Sequence, residues 1–471
     1  MTTMPRDQAR SLAGRLDGEL LLPGDTGYDK ARTVWNAMVD RYPKVIVRCA
    51  SAADVAAAVR FARARDLEIG VRCGGHSVIG LAVPDGGLMI DLTPMGGVRV
   101  DPGRRRARVQ GGALLAALDR AAQEHGLATT AGNVSHTGVG GLTLGGGMGW
   151  LARQLGLTCD NVAAFEMVTA GGERVRASET ENPELFWGLR GGGGNFGIVT
   201  EFEFQLHPVG TQALIADFHF PVEDAFRVLR GWRDLNARAP RRATFTASVG
   251  NAGPSFLPAE LRGMPVASVG FVWVGDPDDG RRLLPSMRAL GRPVAERVEE
   301  LSYLELQRID DTVEGHALRR YWKGHYFSEF TDEAIEAFLL RGSPDGRGEQ
   351  LPAVALQAYG GAIADIPDSD AAFSQRNTLF EFVAAARWTD SAEDGARIAA
   401  ARRCAAALDP FASGAYVNVL GDEGAAGVRR AYPTDKLARL TALKDVYDPE
   451  NVFHLNQNIR PSGFPRPMTI D

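Results

Sequence analysis

At 471 residues the chain exceeds what one ordinary core organises, so two domains, or one domain with a large insertion, are expected. Hydrophobic residues make up 45% and charged residues 23%, the mix of a soluble globular protein. The net charge of −6 lacks the basic face that a nucleic-acid binder presents, so no nucleic-acid partner is expected.

Lysine is rare, at positions 30, 44, 323, 436 and 444 only; the arginine bias is read as genome composition. Cys49, Cys73, Cys159 and Cys404 form no CxxC pair, which argues against a disulfide framework or a zinc site, and no metal is expected. The opening run MTTMPRDQARSLAGRLDGELLLPGD has scattered charges and no apolar h-region, and no run reaches membrane-span length. A reduced, cytoplasmic protein with no membrane partner is the expectation.

In chain order, KVIVR (44–48) predicts a buried strand. SAADVAAAVRFARARD predicts a helix capped by Ser51, with Asp54 at capping-box spacing and Val55, Ala58, Val59 and Ala62 on one face. LEIGVR (67–72) is a second strand, which leads into CGGHS. Further strands are GLMIDL (87–92) and ARVQGG, followed by a helix over 113–126 and the glycine-dense GVGGLTLGGGMGW (138–150). AAFEMVTAGGERVRAS predicts a hairpin turning at Gly171-Gly172. NPELFWGLRGGGGNFGIVTEFEFQL predicts a short helix with Pro183 near its start, then a strand from Ile198 to Leu206. Glycine runs end near Pro208. TFTASVG, ASVGFVWVG, AVALQAYGG and LFEFVAAARW then predict an antiparallel sheet with helices on one face. TALKDVYDPENVFHLNQNI reads as a helix stopped at Asp448-Pro449.

Glycine clusters invite an anion nest. A P-loop needs Gly-Lys-Ser/Thr, yet no lysine lies between Lys44 and Lys323. A Rossmann turn needs GxGxxG where this chain has CASAAD. GHSVI has Ile79 where a nucleophile elbow has its last glycine, and Cys73 with His76 is short of a metal set. What survives is a nest-rich binder of a phosphate-bearing ligand, with one imidazole against it.

The succession IVRCASAADVAAAVRFAR, VRCGGHS, GLMIDL, GVGGLTLGGGMGWLARQLGLTCDNV, NPELFWGLRGGGGNFGIVTEFEF and YDPENVFHLNQNI resembles the FAD-linked oxidases of the vanillyl-alcohol oxidase superfamily, in its berberine-bridge-enzyme-like branch. The resemblance implies an α+β fold: a two-part, PCMH-type FAD-binding domain (1–208 and 414–471) with an inserted antiparallel-sheet-plus-helices substrate domain (209–413). It implies FAD bonded through its 8α-methyl to His76. Flavin contacts are implied for Arg72, Cys73, Gly74, Gly75 and Ser77, and for Val134 and Thr137. They are implied as well for Gly138, Gly140, Gly141, Leu142, Gly145, Gly146, Gly147, Gly149 and Trp150, and for Ile198, Val199, Asn456 and Asn458.

Many relatives carry a second tether, a cysteine in G-x-C-P-T-V-G-x-G-G. Here GNVSHTGVGG puts Val134 at that position, so a single tether is expected, with Cys159 a small buried residue and Cys73 a loop residue near the phosphates. The same register puts Thr137 beside the flavin on the side dioxygen approaches. On the substrate side, alignment on Trp388 sets Val383 where relatives keep a carboxylate or glutamine, with Glu381 two residues away on the same strand face. GAYVNV matches A-Y-x-N-Y with Tyr416 and Asn418 kept. Tyr416 is expected as base or hydroxyl orienter, assisted by Tyr359, and Lys323 as a salt-bridged surface lysine. The implied activity is oxidation of a medium-sized organic substrate (an alcohol, sugar or amine) with dioxygen reduced to hydrogen peroxide, in secondary metabolism. The alternative is a flavin-N5-oxide-type oxygenase acting on a polyketide.

Overall fold

The parallel strands Val45–Arg48, Leu88–Asp91 and Ile69–Arg72 form a small sheet, with Glu19–Leu21 antiparallel at its edge. This comes from a computed structural model that describes residues 6–251, 259, 262–311 and 318–464. The helix Ala52–Arg63 is capped by Ser51, whose hydroxyl accepts from Asp54 N. The reciprocal half of the expected capping box does not form. The Asp54 carboxylate instead accepts from the backbone N–H groups of Asp17, Gly18 and Ala50, which ties the N-terminal segment to the helix start.

Strands Val98–Asp101, Arg106–Gln110, Ile198–Gln205, Val162–Val168 and Arg174–Ser178 make a five-stranded antiparallel sheet, and the last two form the expected hairpin. Phe165, Phe202 and Phe204 anchor its core. The helix expected over 113–126 spans Leu115–Gln123.

The third sheet has seven antiparallel strands, in the order Ala295–Ser302, Gln212–Pro221, Pro265–Val274, Ala243–Asn251, Ala353–Ala358, Phe380–Trp388, Arg319–Phe327. Its two faces differ because side chains alternate along each strand. Phe218, Phe220, Phe271 and Phe382 are fully buried with Trp232 and Phe338, from the helices Ala225–Asn236 and Asp332–Leu340. On the opposite face one cross-strand row reads Asp217, Gly270, Thr246, Gln357, Glu381, Tyr326. That face turns toward the glycine-rich half: Ile215 and Val272 pack against Trp150 and Leu151.

The helix Thr434–Tyr447 stops where expected, for an electrostatic reason. The Asp448 carboxylate accepts from Val452 N and Phe453 N and from the buried Lys444 Nζ at 2.7 Å. Lys444 also donates to Asn195 O, which fastens the C-terminal segment to the glycine-rich half. No helix among the described residues is long and apolar enough to cross a membrane.

Candidate functional site

Past the strand Ile69–Arg72 the chain turns at Cys73-Gly74-Gly75 and presents His76. A Cβ on Gly74 would lie 2.2 Å from Gly138 N, and Gly75 sits at φ 70°, where an L side chain is strained. The two glycine segments therefore meet backbone to backbone, a contact that no other residue type allows. Trp35 stacks on His76 with ring centroids 4.7 Å apart, and Trp322 meets Trp35 edge-on. His76 Nε2 lies 2.8 Å from His136 Nδ1, and its Nδ1 lies 3.4 Å from the Thr137 hydroxyl. Ser77 caps its own turn by accepting from Leu81 N, while the Arg72 guanidinium donates to Ala31 O and faces Asp91.

Cys73 packs against Gly138 and Gly140, and burial pushes its thiol up to about 11. Cys159 is fully buried, with its thiol raised well above the usual range by desolvation and then by the neighbouring Asp160 charge. The carbonyl of Val134, the residue expected at the second-tether position, accepts from Thr137 N.

Gly138 precedes the helix Val139–Leu144, which carries Gly140, Gly141 and Leu142; Gly141 is exposed, and a Cβ there would meet nothing within 4 Å. Gly145 abuts the Asn418 side chain, Gly146 abuts Phe373, and Gly149 lies under Ala131 O. The side chain of Trp150 packs onto the seven-stranded sheet, and those of Ile198 and Val199 fill two separate cores. Asn456 and Asn458 lie on the C-terminal segment, where Asn456 donates to Gly194 O.

These residues fit FAD. Trp35 Nε1, Asn456 Oδ1 and Asn458 Oδ1 are buried and make no hydrogen bond among the described residues, as expected of polar atoms that serve a polar ligand. The facing glycine segments carry no side chains, and Gly141 leaves open ground beside them.

Across the site, Glu381 is 8% exposed and accepts from the Tyr359 hydroxyl at 2.7 Å. Burial raises its carboxyl to about 7, against the opposing pull of the Tyr359 bond. Tyr326 lies beside Tyr359, with rings meeting edge-on at 5.3 Å, and stacks on Tyr416. The Tyr416 hydroxyl accepts from Gly147 N at 2.8 Å and Asn418 Nδ2 at 2.9 Å. Burial first, and the Glu381 charge next, raise its pKa above that of free tyrosine. A tyrosinate is thus disfavoured, while a carboxylate near neutrality is available two positions from Val383, on the same strand face. Lys323 is held outside this cluster by Asp422 and Glu423, each at 2.8 Å.

The two halves of the site touch. Asn133, three residues before His136, donates to Gln357, the cross-strand partner of Glu381. The Ser135 N–H and hydroxyl both bind the Asp311 carboxylate, at 2.9 and 2.7 Å. Sequence reading missed Trp35, His136, Trp322 and Tyr326. Trp322 and Tyr326 alternate on one strand within YWKGHYF, which was a usable signal. His136 stood in plain view in GNVSHTGVGG, but nothing local tied it to His76, sixty residues away.

Residues 43–178 match the FAD binding domain family, and residues 415–460 match the family described as berberine and berberine like. The chain is 30% identical to the FAD-linked oxidoreductase YvdP of Bacillus subtilis, over 95% of its own length and 99% of that protein's. It is 31% identical to (R)-6-hydroxynicotine oxidase of Paenarthrobacter nicotinovorans, over 95% and 98% respectively. The crystal structure of 6-hydroxy-D-nicotine oxidase from Arthrobacter nicotinovorans superposes with a TM-score of 0.80 at 29% identity, covering 94% of this chain and 98% of that one.

Proposed function

The chain belongs to the berberine-bridge-like FAD-linked oxidoreductases, and from that premise we propose that it carries FAD on a single covalent bond to His76 and oxidises a medium-sized alcohol, sugar or amine. FAD, when bound, would supply the hydride acceptor, with dioxygen as the final oxidant and hydrogen peroxide as its product. The chain's own residues bind, orient and move the proton.

The observation that carries this reading is the buried Glu381 facing the fixed Tyr416 across one cluster. Glu381 takes the proton from the substrate O–H or N–H, and Tyr359 holds the carboxylate in place. The two hydrogen bonds into the Tyr416 oxygen occupy its lone pairs and leave its O–H to donate to the substrate heteroatom. Asn418 and Gly147 orient that hydroxyl. Of the two roles expected for Tyr416, base or hydroxyl orienter, this reading takes the second and gives the base to Glu381.

A single tether follows from Val134 and from the high thiol pKa values of Cys73 and Cys159, which keep both sulfurs protonated. Acid-precipitated protein is expected to stay yellow, and the proteolytic peptide containing His76 to carry the mass of FAD; a folded, coloured preparation whose His76 peptide is unmodified refutes the attachment. Anaerobic bleaching of the flavin by alcohols, sugars and amines identifies the substrate class. Peroxide formed one-for-one with substrate supports the oxidase, and isotopic oxygen in the product supports the oxygenase instead.

A further inference from the structure

We propose that His136 is the positioning residue that fixes the tautomer of His76 and takes up its proton as the flavin bond forms. This rests on the reading of His76 as the point of attachment. The two rings share one short contact, Nε2 of His76 to Nδ1 of His136 at 2.8 Å. One nitrogen of that pair donates and the other accepts. With the proton on Nε2 of His76, its Nδ1 holds a lone pair, on the side where the Thr137 hydroxyl lies 3.4 Å away. Nδ1 is then the nucleophile.

Bonding at Nδ1 leaves a doubly substituted ring that still carries its Nε2 proton, an imidazolium. His136 Nδ1, already in hydrogen-bond contact, accepts that proton and leaves a neutral linkage. The balance is complete: a C–H bond of the 8α-methyl and the Nε2–H bond break, and one N–C bond forms. Two protons are released, one of them to His136. The electron pair passes through the flavin ring to dioxygen, which becomes hydrogen peroxide with two protons.

The surroundings hold this pair in register. Trp35 stacks on His76 at an interplanar angle of 16°, covering one face of the ring. The residue before His136 is clamped by both oxygens of Asp311. A histidine that only filled space would need neither the 2.8 Å contact nor a loop fastened at the adjacent residue.

The test is the rate of covalent attachment when FAD is added in air to the full-length chain prepared without it. Samples are quenched with acid and read as the flavin mass on the His76 peptide. His136→Ala is expected to slow attachment about 10²-fold, the lower end of general-base contributions, while still taking up FAD non-covalently. Added imidazole is expected to restore the rate in that variant. His136→Asn keeps an acceptor facing Nε2 but has no basic nitrogen to take up the proton, so it is expected to be slow as well, and it decides the matter should His136→Ala fail to fold. Attachment at the wild-type rate in either folded variant overturns the role, as does a slow His136→Ala that imidazole does not rescue. A wild-type chain that binds FAD yet never gains mass at His76 overturns the attachment reading itself and this role with it.

Discussion

The glycine-rich half and the seven-stranded sheet build their shares of the site in opposite ways. The first works through backbone: Gly74 and Gly138 are pressed together so closely that a side chain on either would strike the other's N–H. The second works through alternation: one face buries phenylalanines under helices, and the other offers Glu381, Gln357 and Thr246. A backbone-built site tolerates almost no substitution where the chains meet. A site built by alternation keeps its framework when one side chain on the open face is changed.

The largest expected effect is therefore on the backbone side. Gly138→Ala would put a Cβ 2.3 Å from Gly74 N and 2.5 Å from Cys73 Sγ, and is expected to cost about 4 kcal/mol or more. Thermal unfolding and the flavin-to-protein absorbance ratio measure it, and a variant with normal stability and flavin content would dissolve the contrast. Next comes Glu381→Gln, expected to fold normally and to slow flavin reduction by ~10²–10⁴-fold. In the wild type, reduction is expected to rise with pH through about 7, as the carboxyl ionises, and the glutamine variant to be flat there.

Stability should move the other way. Because the folded carboxyl is raised from 4.5 to about 7, the native state keeps a proton that the unfolded chain releases. The benefit is full below pH 4.5 and is lost as pH rises through 7, so the wild type should lose stability across that window relative to Glu381→Gln. Denaturant midpoints at several pH values read this directly.

A smaller effect is expected for Tyr416→Phe. It removes a donor to substrate, slowing flavin reduction about tenfold for ~1.4 kcal/mol of lost interaction. It also leaves Gly147 N without its acceptor, at ~1–3 kcal/mol of stability. Smallest of all, Cys159→Ser is expected to leave the flavin mass on the His76 peptide unchanged; loss of that mass would sharpen the comparison by making this buried sulfur part of the flavin side.

The same contrast explains how much was legible beforehand. The GGHS turn, the glycine run and the strand alternation of LFEFVAAARW stand in the sequence because backbone geometry and period-two burial leave local marks. The choice between Glu381 and Tyr416 does not. It depends on which hydroxyl is already saturated by Gly147 and Asn418, and on how deeply a carboxyl is buried, both set by contacts between distant segments. His136 was hidden for the same reason, as was the diversion of the Asp54 carboxylate from its own helix to the N-terminal segment. The packing of Trp150 was hidden too: it sits within a glycine run, and its indole packs on the sheet.

The grip of Asp311 on Ser135 has a practical corollary for protein engineering. Transplanting the sheet module of a relative to change what the enzyme accepts would also sever a strut that braces the loop carrying His136, the neighbour of His76. A graft that retains an acid at this seam should hold its flavin, and one that omits it should come out of purification pale.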